Sequence, residues 1–421
     1  MNRKPPRVFY GWWIVGSAFF VALYTSGTIG YGFTAVFEPL ANEFGWSYTQ
    51  ISLGASLRGL EIGLLAPVVG LLVDRWGPRR LMLGGVTFTA LGLIVLSRTT
   101  SLGMFYGAMA LLAIGVSTSS STVLMTAVTN WFNRRVGMAI GIAAAGHGFG
   151  GLLVPVVVKL IDVYEWRTAM AILGVGMLAI GLPLSALVRH KPEQYGYHLD
   201  GDADSGTAPG SGGIPVQADQ VDFGVKQAVK SRMFWHIALA LAFQSMVLGA
   251  VTTHIMPYLS SVGIARATAG LAASGVPLLS IIGRLSFGRL ADEFDKRQVV
   301  AGGFAIMTIG LLFFNYVDTS RMWLLVLFVS LFGIGQGGLV VMRVALLREY
   351  FGRANFGAIH GFVVGILALG RVAGASLPGM AYDNWGGYQN IWLGFAALIA
   401  VALLIGATMP PLRAAAQPTD R

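Results

Sequence analysis

The amino-acid sequence predicts an all-α membrane protein with twelve transmembrane helices, arranged as two pseudo-symmetric bundles of six. The prediction rests on long uncharged segments, on their number and on an internal repeat. Of 421 residues, 55% are hydrophobic and 11% are charged, whereas soluble domains carry about 25% charged residues. Residues 8–37, 99–133, 233–265 and 384–412 contain no Asp, Glu, Lys or Arg. Because about 20 apolar residues cross the hydrocarbon layer, each of these segments can span it once.

Apolar segments of this kind recur along the whole chain. We place the twelve helices at residues 10–37, 48–75, 80–98, 102–129, 136–160, 167–189, 233–262, 267–292, 298–317, 321–348, 355–382 and 387–410. The polar stretch between the sixth and seventh helices includes DGDADSGTAPGSGG, which has the composition of a flexible linker. The predicted domains are therefore an N-terminal bundle at 1–190, a cytoplasmic linker at 191–231 and a C-terminal bundle at 232–421.

Two motifs occur once in each half, after its second and fourth helices. GLLVDRWGPRRLMLGG begins at Gly70 and GRLADEFDKRQVVAGG at Gly288, while WFNRRVGMAIG begins at Trp131 and YFGRANFGAIHG at Tyr350. Transporters built from two such six-helix repeats bind their substrate between the halves, near the middle of the bilayer.

The distribution of positive charge predicts the orientation in the membrane. With the N-terminus in the cytoplasm, twenty of the 29 Lys and Arg residues lie on the cytoplasmic side and five outside, as the positive-inside rule requires. Both termini are therefore expected in the cytoplasm. Contact with anionic lipid accounts for the net charge of +10 without a nucleic-acid partner. We expect a multi-pass monomer in the plasma membrane, the inner membrane of a bacterial cell.

The loop after the second helix predicts a gate. Its glycines permit a tight turn and close helix contact, and its aspartate can accept hydrogen bonds from an arginine or a helix N-terminus of the other half. The residues concerned are Gly70, Asp74, Arg75, Gly77, Arg79 and Arg80, and the second copy keeps Asp292. The alternative is a basic loop that serves topology alone.

Five charged side chains fall within predicted helices, where each costs a few kcal/mol unless it faces protein or water. Arg58 and Glu61 share a helix face, either as a structural pair or with Glu61 as a proton acceptor whose pKa depends on Arg58. Arg284 and Arg371 have no acidic neighbour on their own helices. They predict an anionic substrate, the alternative being bonds to backbone carbonyls. Arg343 lies nearer the cytoplasm, where it can extend towards water.

Polar residues of helices 1 and 5 are further candidates. The titration range of His147 suits proton coupling, although a neutral imidazole that bonds between helices is the alternative. Tyr31 and Tyr24 can donate to a bound carboxylate or simply pack. The sequence has no cysteine, nucleophile–base pair, metal-ligand cluster or nucleotide motif. We therefore expect neither an enzyme nor a cofactor or metal, and an ion or solute gradient as the energy source.

Several segments resemble the monocarboxylate and oxalate/formate branch of the major facilitator superfamily. They are Tyr10-Gly-Trp-Trp13, residues 37–47, Trp131-Phe-Asn-Arg-Arg135, His254-Ile-Met-Pro-Tyr-Leu259, and Gly283-Arg284 followed by Gly288-Arg-Leu-Ala-Asp292. The resemblance implies transport of small carboxylates, with a proton or by exchange. It also implies that Arg284, which matches the family's helix 8 arginine, binds the carboxylate.

The chain departs from this family pattern at three positions. Eukaryotic monocarboxylate carriers have an aspartate where this chain has Ser280 and a lysine where it has Tyr31, and Arg371 is the basic group nearest to the helix 11 lysine of oxalate carriers. If protons are coupled, Glu61 or His147 must therefore take over the proton.

These observations predict a secondary active transporter of a small organic carboxylate that works by alternating access, with proton coupling or by exchange. Two other functions stay open at this point. One is an exporter of drugs or other amphiphilic compounds, in which the interior charges form gating pairs. The other is a membrane receptor or structural protein without transport.

Overall fold

The computed structural model describes residues 9–119, 121–132, 136–190, 192–195, 224–351, 356–388 and 390–409. Some side chains inside these ranges, including those of Glu61, Asp74 and Asp292, lie outside the description. The backbone of these three residues is helical.

The described residues form twelve helices, one for each predicted segment. Eight continuous helical segments among them are long and apolar enough to span a membrane. The helices are α1 Gly11–Phe44, α2 Tyr48–Trp76, α3 Pro78–Ser97, α4 Leu102–Thr118 with Ser121–Thr129, α5 136–164, α6 166–187, α7 Arg232–Ser261, α8 Arg266–Glu293, α9 Lys296–Asn315, α10 Trp323–Phe351, α11 Phe356–Trp385 and α12 Ile391–Ala407. Short helices at Pro192–Tyr195 and Val225–Lys230 lie between α6 and α7. We call α1–α6 the N-terminal half and α7–α12 the C-terminal half. The exact domain limits remain a prediction from the sequence.

The α5–α6 corner is a break in an otherwise continuous helix. Glu165 has a φ of +63°, in the left-handed region that L-residues with a side chain rarely adopt. The two residues after it bind the end of α1: Trp166 Nε1 donates to Glu43 at 2.6 Å and Arg167 Nη2 to the same carboxylate at 2.6 Å. These contacts hold the corner and the end of α1 together.

The first helix is longer and less regular than the sequence predicts. It continues past Phe37 to Phe44, although Glu38, Pro39 and Glu43 look like the polar end of a span. A π-helical turn at Ser26–Tyr31 interrupts it. Such single turns frequently mark functional sites, and this one lies in the middle of the molecule.

Small residues allow the helices of the C-terminal half to approach closely, as in other membrane bundles. A Cβ atom added to Gly337 on α10 would lie 2.0 Å from the Ser280 carbonyl oxygen of α8, and one on Gly283 would lie 2.0 Å from the Ile334 oxygen. The backbones of α8 and α10 are therefore in contact, which fixes the position of α8.

We expect Gly337→Ala to lower the thermal unfolding midpoint of the purified protein by several degrees, because overpacking a tight contact costs about 1–3 kcal/mol. Gly302→Ala on α9 is the matched control, since its Cβ would meet open space and alanine is the better helix former. Equal midpoints for the two variants would contradict the close α8–α10 contact.

Candidate functional site

Arg371 lies halfway along α11, deep in the molecule, and yet its side chain is exposed. Its carbonyl group packs directly against Gly249 of α7, where a Cβ would lie 2.4 Å from the oxygen. The side chain is within electrostatic range of Tyr31 and Arg58 on the N-terminal half. We infer that it faces an internal space between the halves which water can enter.

Tyr31 ends the π turn of α1 and extends towards the C-terminal half. It lines a small cavity of about 10 Å³ with Val251, Thr252 and Ile255 of α7 and Ala273 and Val276 of α8. Arg371 and Arg284 both act on it electrostatically. Tyr31 of α1 thus contacts α7 and α8, the helix that carries Arg284.

Tyr24, by contrast, does not belong to this site. Its hydroxyl donates to the Leu173 carbonyl of α6 at 2.7 Å, so it is already used within the N-terminal half. The prediction that Tyr24 donates to a carboxylate is therefore not supported by the geometry.

Arg58 of α2 forms a hydrogen bond with the backbone of α1, so it holds structure rather than substrate. Its Nη1 donates to the Ile29 carbonyl in the π turn at 2.9 Å, and its guanidinium lies 5.3 Å from the centre of the Phe33 ring. The Glu61 side chain lies outside the described residues, so the Arg58–Glu61 pair stays a prediction.

Arg284 of α8 and His147 of α5 lie on two helices that cross tightly. A Cβ on Gly148 would lie 2.7 Å from the Ile281 side chain. The Nε of Arg284 is buried without a hydrogen-bond partner. The predicted carboxylate ligand and one of the predicted proton acceptors therefore belong to the same pair of crossing helices.

The described charges around this site are positive. Among the ion pairs between described side chains, none includes Arg58, Arg284 or Arg371. The described acidic side chains lie towards helix ends or in loops: Glu38, Glu43, Asp162, Glu165, Glu293, Asp295, Asp318, Glu349 and Asp383. A guanidinium without a counter-ion is costly in a low-dielectric interior, so an anion bound here would be strongly stabilised.

One side of the molecule, which carries the α1–α2 loop and is named the α1–α2 side, is closed by Arg266. At the start of α8, Arg266 donates to the Ala35 carbonyl of α1 and pairs with Asp162 of α5 at 2.9 Å and Glu38 of α1 at 3.7 Å. Pro39 lacks an N–H, so it leaves the carbonyl four residues earlier, that of Ala35, without its helical donor. We call this set of contacts the Arg266 latch.

The contact between α2 and α11 adds to the closure. Asp383 at the end of α11 accepts from the backbone N–H groups of Tyr48 at 3.0 Å and Thr49 at 2.8 Å. A carboxylate is well placed there, because the first turn of a helix has free N–H groups and a positive dipole end. The Tyr48 and Tyr382 rings stack with centroids 4.0 Å apart.

His254 of α7 also bridges the halves and is completely buried. Its Nε2 lies 3.0 Å from Ser52 Oγ of α2, and its Nδ1 lies 2.9 Å from the Tyr388 hydroxyl after α11. A buried imidazole with polar partners on both ring nitrogens orients both neighbours. The α1–α2 side is therefore closed by polar contacts in four helix pairs, α8–α1, α8–α5, α2–α11 and α2–α7.

The predicted gating loop lies at the opposite end of α2. Gly77 has a φ of +78°, which favours glycine, and Pro78 starts α3 directly after it. Arg75, Arg79 and Arg80 are exposed. The side chains of Asp74 and Asp292 and the surroundings of Gly70 lie outside the described residues, so the gate itself stays a prediction.

A cavity of about 150 Å³ lies near the second copy of this loop, lined by residues 294–297, Leu346, Glu349 and Tyr350. Its charges are already paired: Lys296 Nζ lies 2.5 Å from Glu349, and Arg297 Nη2 lies 2.5 Å from Asp295. Hydrogen bonds from Arg297 hold the pKa of Asp295 below its usual value. With matched charges, this cavity is a weaker anion site than the interior arginines.

Comparison with known proteins identifies the relatives of this chain. A family model described as Major Facilitator Superfamily matches residues 13–265 and 250–421. Monocarboxylate transporter 12 of Rattus norvegicus is 26% identical, over 96% of this chain and 86% of its own length, and that of Homo sapiens is 27% identical over 96% and 81%. Human monocarboxylate transporter 2 is 24% identical over 96% and 87%.

Among solved structures, a bacterial homolog of the human lysosomal transporter Spinster, in an inward-facing and occupied conformation, matches with a TM-score of 0.68. It covers 98% of this chain and 97% of its own at 15% identity. At this identity the likeness supports the fold alone.

We expect Arg266→Gln to open the α1–α2 side. Charge-assisted hydrogen bonds contribute about 1.5–3 kcal/mol, so the loss of the latch should raise the open population roughly tenfold or more. The chain has no cysteine, so spin labels can be placed at Arg98→Cys and Arg321→Cys, in exposed loops of the two halves. Double electron–electron resonance should then show a longer distance.

Arg289→Gln is the matched control for this measurement. Arg289 is an exposed arginine of the same helix that pairs with Glu293 at its opposite end. An unchanged distance distribution in Arg266→Gln would show that the latch does not hold the two halves together.

Proposed function

Because the chain belongs to the major facilitator superfamily, we propose that it is a secondary active transporter of a small, monocarboxylate-like organic acid, which it carries across the plasma membrane by alternating access. Its named relatives are transporters, and the chain is a membrane transporter rather than an enzyme. The observation that supports the substrate class is the pair of interior arginines, Arg284 and Arg371, which no described carboxylate neutralises.

The chemistry of these residues suits a carboxylate. A planar guanidinium offers two parallel N–H donors that match the two carboxylate oxygens. Arg284 has a buried Nε without a partner, and in this proposal Arg371 and the Tyr31 hydroxyl supply further donors to the bound carboxylate. Arg58 adds a further positive charge nearby, so the field in the cavity favours anions and repels cations.

The closure described above corresponds to one state of the transport cycle. The Lys and Arg distribution places the α1–α2 side outside the cell, so the Arg266 latch would close the extracellular entrance while the arginines remain reachable from the cytoplasm. In the opposite state the latch opens, and the loop with Gly70, Asp74, Arg75, Gly77, Arg79 and Arg80, together with Asp292, would close the cytoplasmic side.

Proton coupling would use His147 or Glu61. His147 and Arg284 belong to crossing helices, so a carboxylate that neutralises the arginine would also favour a protonated His147. Binding of proton and anion would therefore be mutually favourable, because such coupling is reciprocal. Glu61 would act through Arg58, as its helix position predicts, and exchange of two anions requires neither group.

We expect Arg284→Ala to abolish uptake of the cognate acid while the protein still reaches the membrane. Removal of one partner of a buried charged pair costs about 2–5 kcal/mol, which corresponds to a loss of at least roughly thirtyfold. Proteoliposome uptake of labelled acetate, lactate, pyruvate, formate and oxalate provides the measurement. Arg289→Ala on the exposed surface of α8 should retain roughly full uptake.

Unchanged carboxylate uptake in Arg284→Ala would rule out the proposed site. Thermal-shift screening separates the carboxylate carrier from an exporter of amphiphilic compounds. Stabilisation by carboxylates that is lost in Arg284→Ala supports the proposal, whereas stabilisation by hydrophobic cations favours the exporter.

If transport is coupled to protons, we expect Glu61→Gln or His147→Gln to abolish uptake driven by a pH gradient while counterflow of the same acid continues, because counterflow needs no net protonation. Uptake with and without an imposed pH gradient, compared with counterflow, is the measurement. Gradient-driven uptake that persists in both variants would exclude these residues as proton acceptors.

A further inference from the structure

The π turn of α1 determines which side chain reaches the centre of the site. A π turn accommodates one extra residue in the helix, which rotates everything after it by about 100° relative to a regular α-helix. The turn spans Ser26–Tyr31, so its last residue is the tyrosine that contacts α7 and α8. The direction of the Tyr31 side chain therefore depends on the turn being kept.

One side of this turn is held by α5. Ser26 Oγ donates to the Ala22 carbonyl at 2.6 Å and lies 3.2 Å from the His147 carbonyl oxygen of α5, and a Cβ on Gly27 would lie 2.5 Å from the Gly150 carbonyl oxygen. These contacts fix the first two residues of the turn against the N-terminal half.

The other end of the turn is held by Arg58. A π turn breaks the regular i→i−4 pairing, so it needs donors or acceptors from elsewhere when it lies in the membrane. Arg58 Nη1 donates to the Ile29 carbonyl at 2.9 Å, two residues before Tyr31. The same guanidinium lies over the Phe33 ring, two residues after Tyr31, at 5.3 Å. One arginine thus contacts α1 on both sides of the tyrosine.

From this geometry we propose that Arg58 is a positioning residue, which keeps the π turn of α1 in place and thereby directs the Tyr31 side chain towards α7 and α8 of the C-terminal half. The bond of Arg58 to the Ile29 carbonyl uses this arginine for structure, whereas Arg284 and Arg371 have no described carboxylate partner. The role of Tyr31 in substrate binding rests on the proposed function; the placement of Tyr31 by Arg58 does not.

The placement can be measured without any substrate. With 3-fluorotyrosine introduced at position 31 by stop-codon suppression, we expect Arg58→Met to shift or broaden the ¹⁹F resonance of the purified protein. Arg58→Lys, which keeps a donor and the charge, should restore most of the original signal. Arg343→Met is the matched control, because Arg343 is another interior arginine but belongs to α10, and it should leave the resonance unchanged.

The KM for uptake then tests the consequence for substrate binding. We expect Arg58→Met to raise the KM for the panel acid with the highest uptake about tenfold, the size expected for the loss of one charge-assisted hydrogen bond. In the Tyr31→Phe background the same change should raise it less than about twofold, because the hydroxyl that it positions is gone. Arg343→Met should have the same effect in both backgrounds.

An unchanged ¹⁹F resonance, or an equal rise of KM in both backgrounds, would overturn the inference. If Arg58→Met fails to fold, Arg58→Gln goes through the same two measurements. A changed ¹⁹F resonance with a rise of KM that Tyr31→Phe abolishes would support the proposal, and a native resonance would overturn it. Failure of the carboxylate proposal appears separately, as uptake that is unaffected by Arg284→Ala.

Discussion

A guanidinium ion inside a membrane protein must find either an anion or enough backbone acceptors, because its desolvation costs several kcal/mol. The structure meets this constraint in different ways for different arginines. Arg58 donates to a backbone carbonyl, and Arg266 combines a carbonyl with two carboxylates. Arg284 and Arg371 have no described carboxylate partner. This difference separates arginines that hold the protein together from those that are free to bind a ligand, and the assignment of the site depends on it.

Helix α1 supplies acceptors to both of the arginines that hold structure. Its π turn presents the Ile29 carbonyl to Arg58, and Pro39 leaves the Ala35 carbonyl to Arg266. Unpaired backbone groups are not tolerated in hydrocarbon. The π turn therefore depends on the donor of Arg58, and the free carbonyl four residues before Pro39 depends on the donor of Arg266. The two carbonyls are six residues apart, about 9 Å along the helix axis. The same helix therefore connects the binding site to the closure on the α1–α2 side.

The twelve helices could be predicted from the sequence, because the length of an apolar segment is a local property. The interior arginines could be predicted as well, because a charge within an apolar segment is directly visible. It was misleading at the end of α1, where Glu38, Pro39 and Glu43 look like a helix end; their partners Arg266, Trp166 and Arg167 lie more than a hundred residues away. The Arg266 latch and the bridging role of His254 were missed for the same reason. Tyr24 and Tyr31 look equivalent in sequence, and only the π turn and the Leu173 carbonyl distinguish them.

The contacts that close the α1–α2 side are individually weak. Partly exposed ion pairs and single hydrogen bonds contribute about 1 kcal/mol each, so the closure is held by a few kcal/mol. A substrate can shift an equilibrium between two states only by the difference in its affinity for them. A carboxylate bound between Arg284 and Arg371 on the C-terminal half and Tyr31 on the N-terminal half gains most when both halves are in contact with it. Because Tyr31 and the Ala35 carbonyl belong to the same helix, a change in the position of α1 at the site is also a change at the latch.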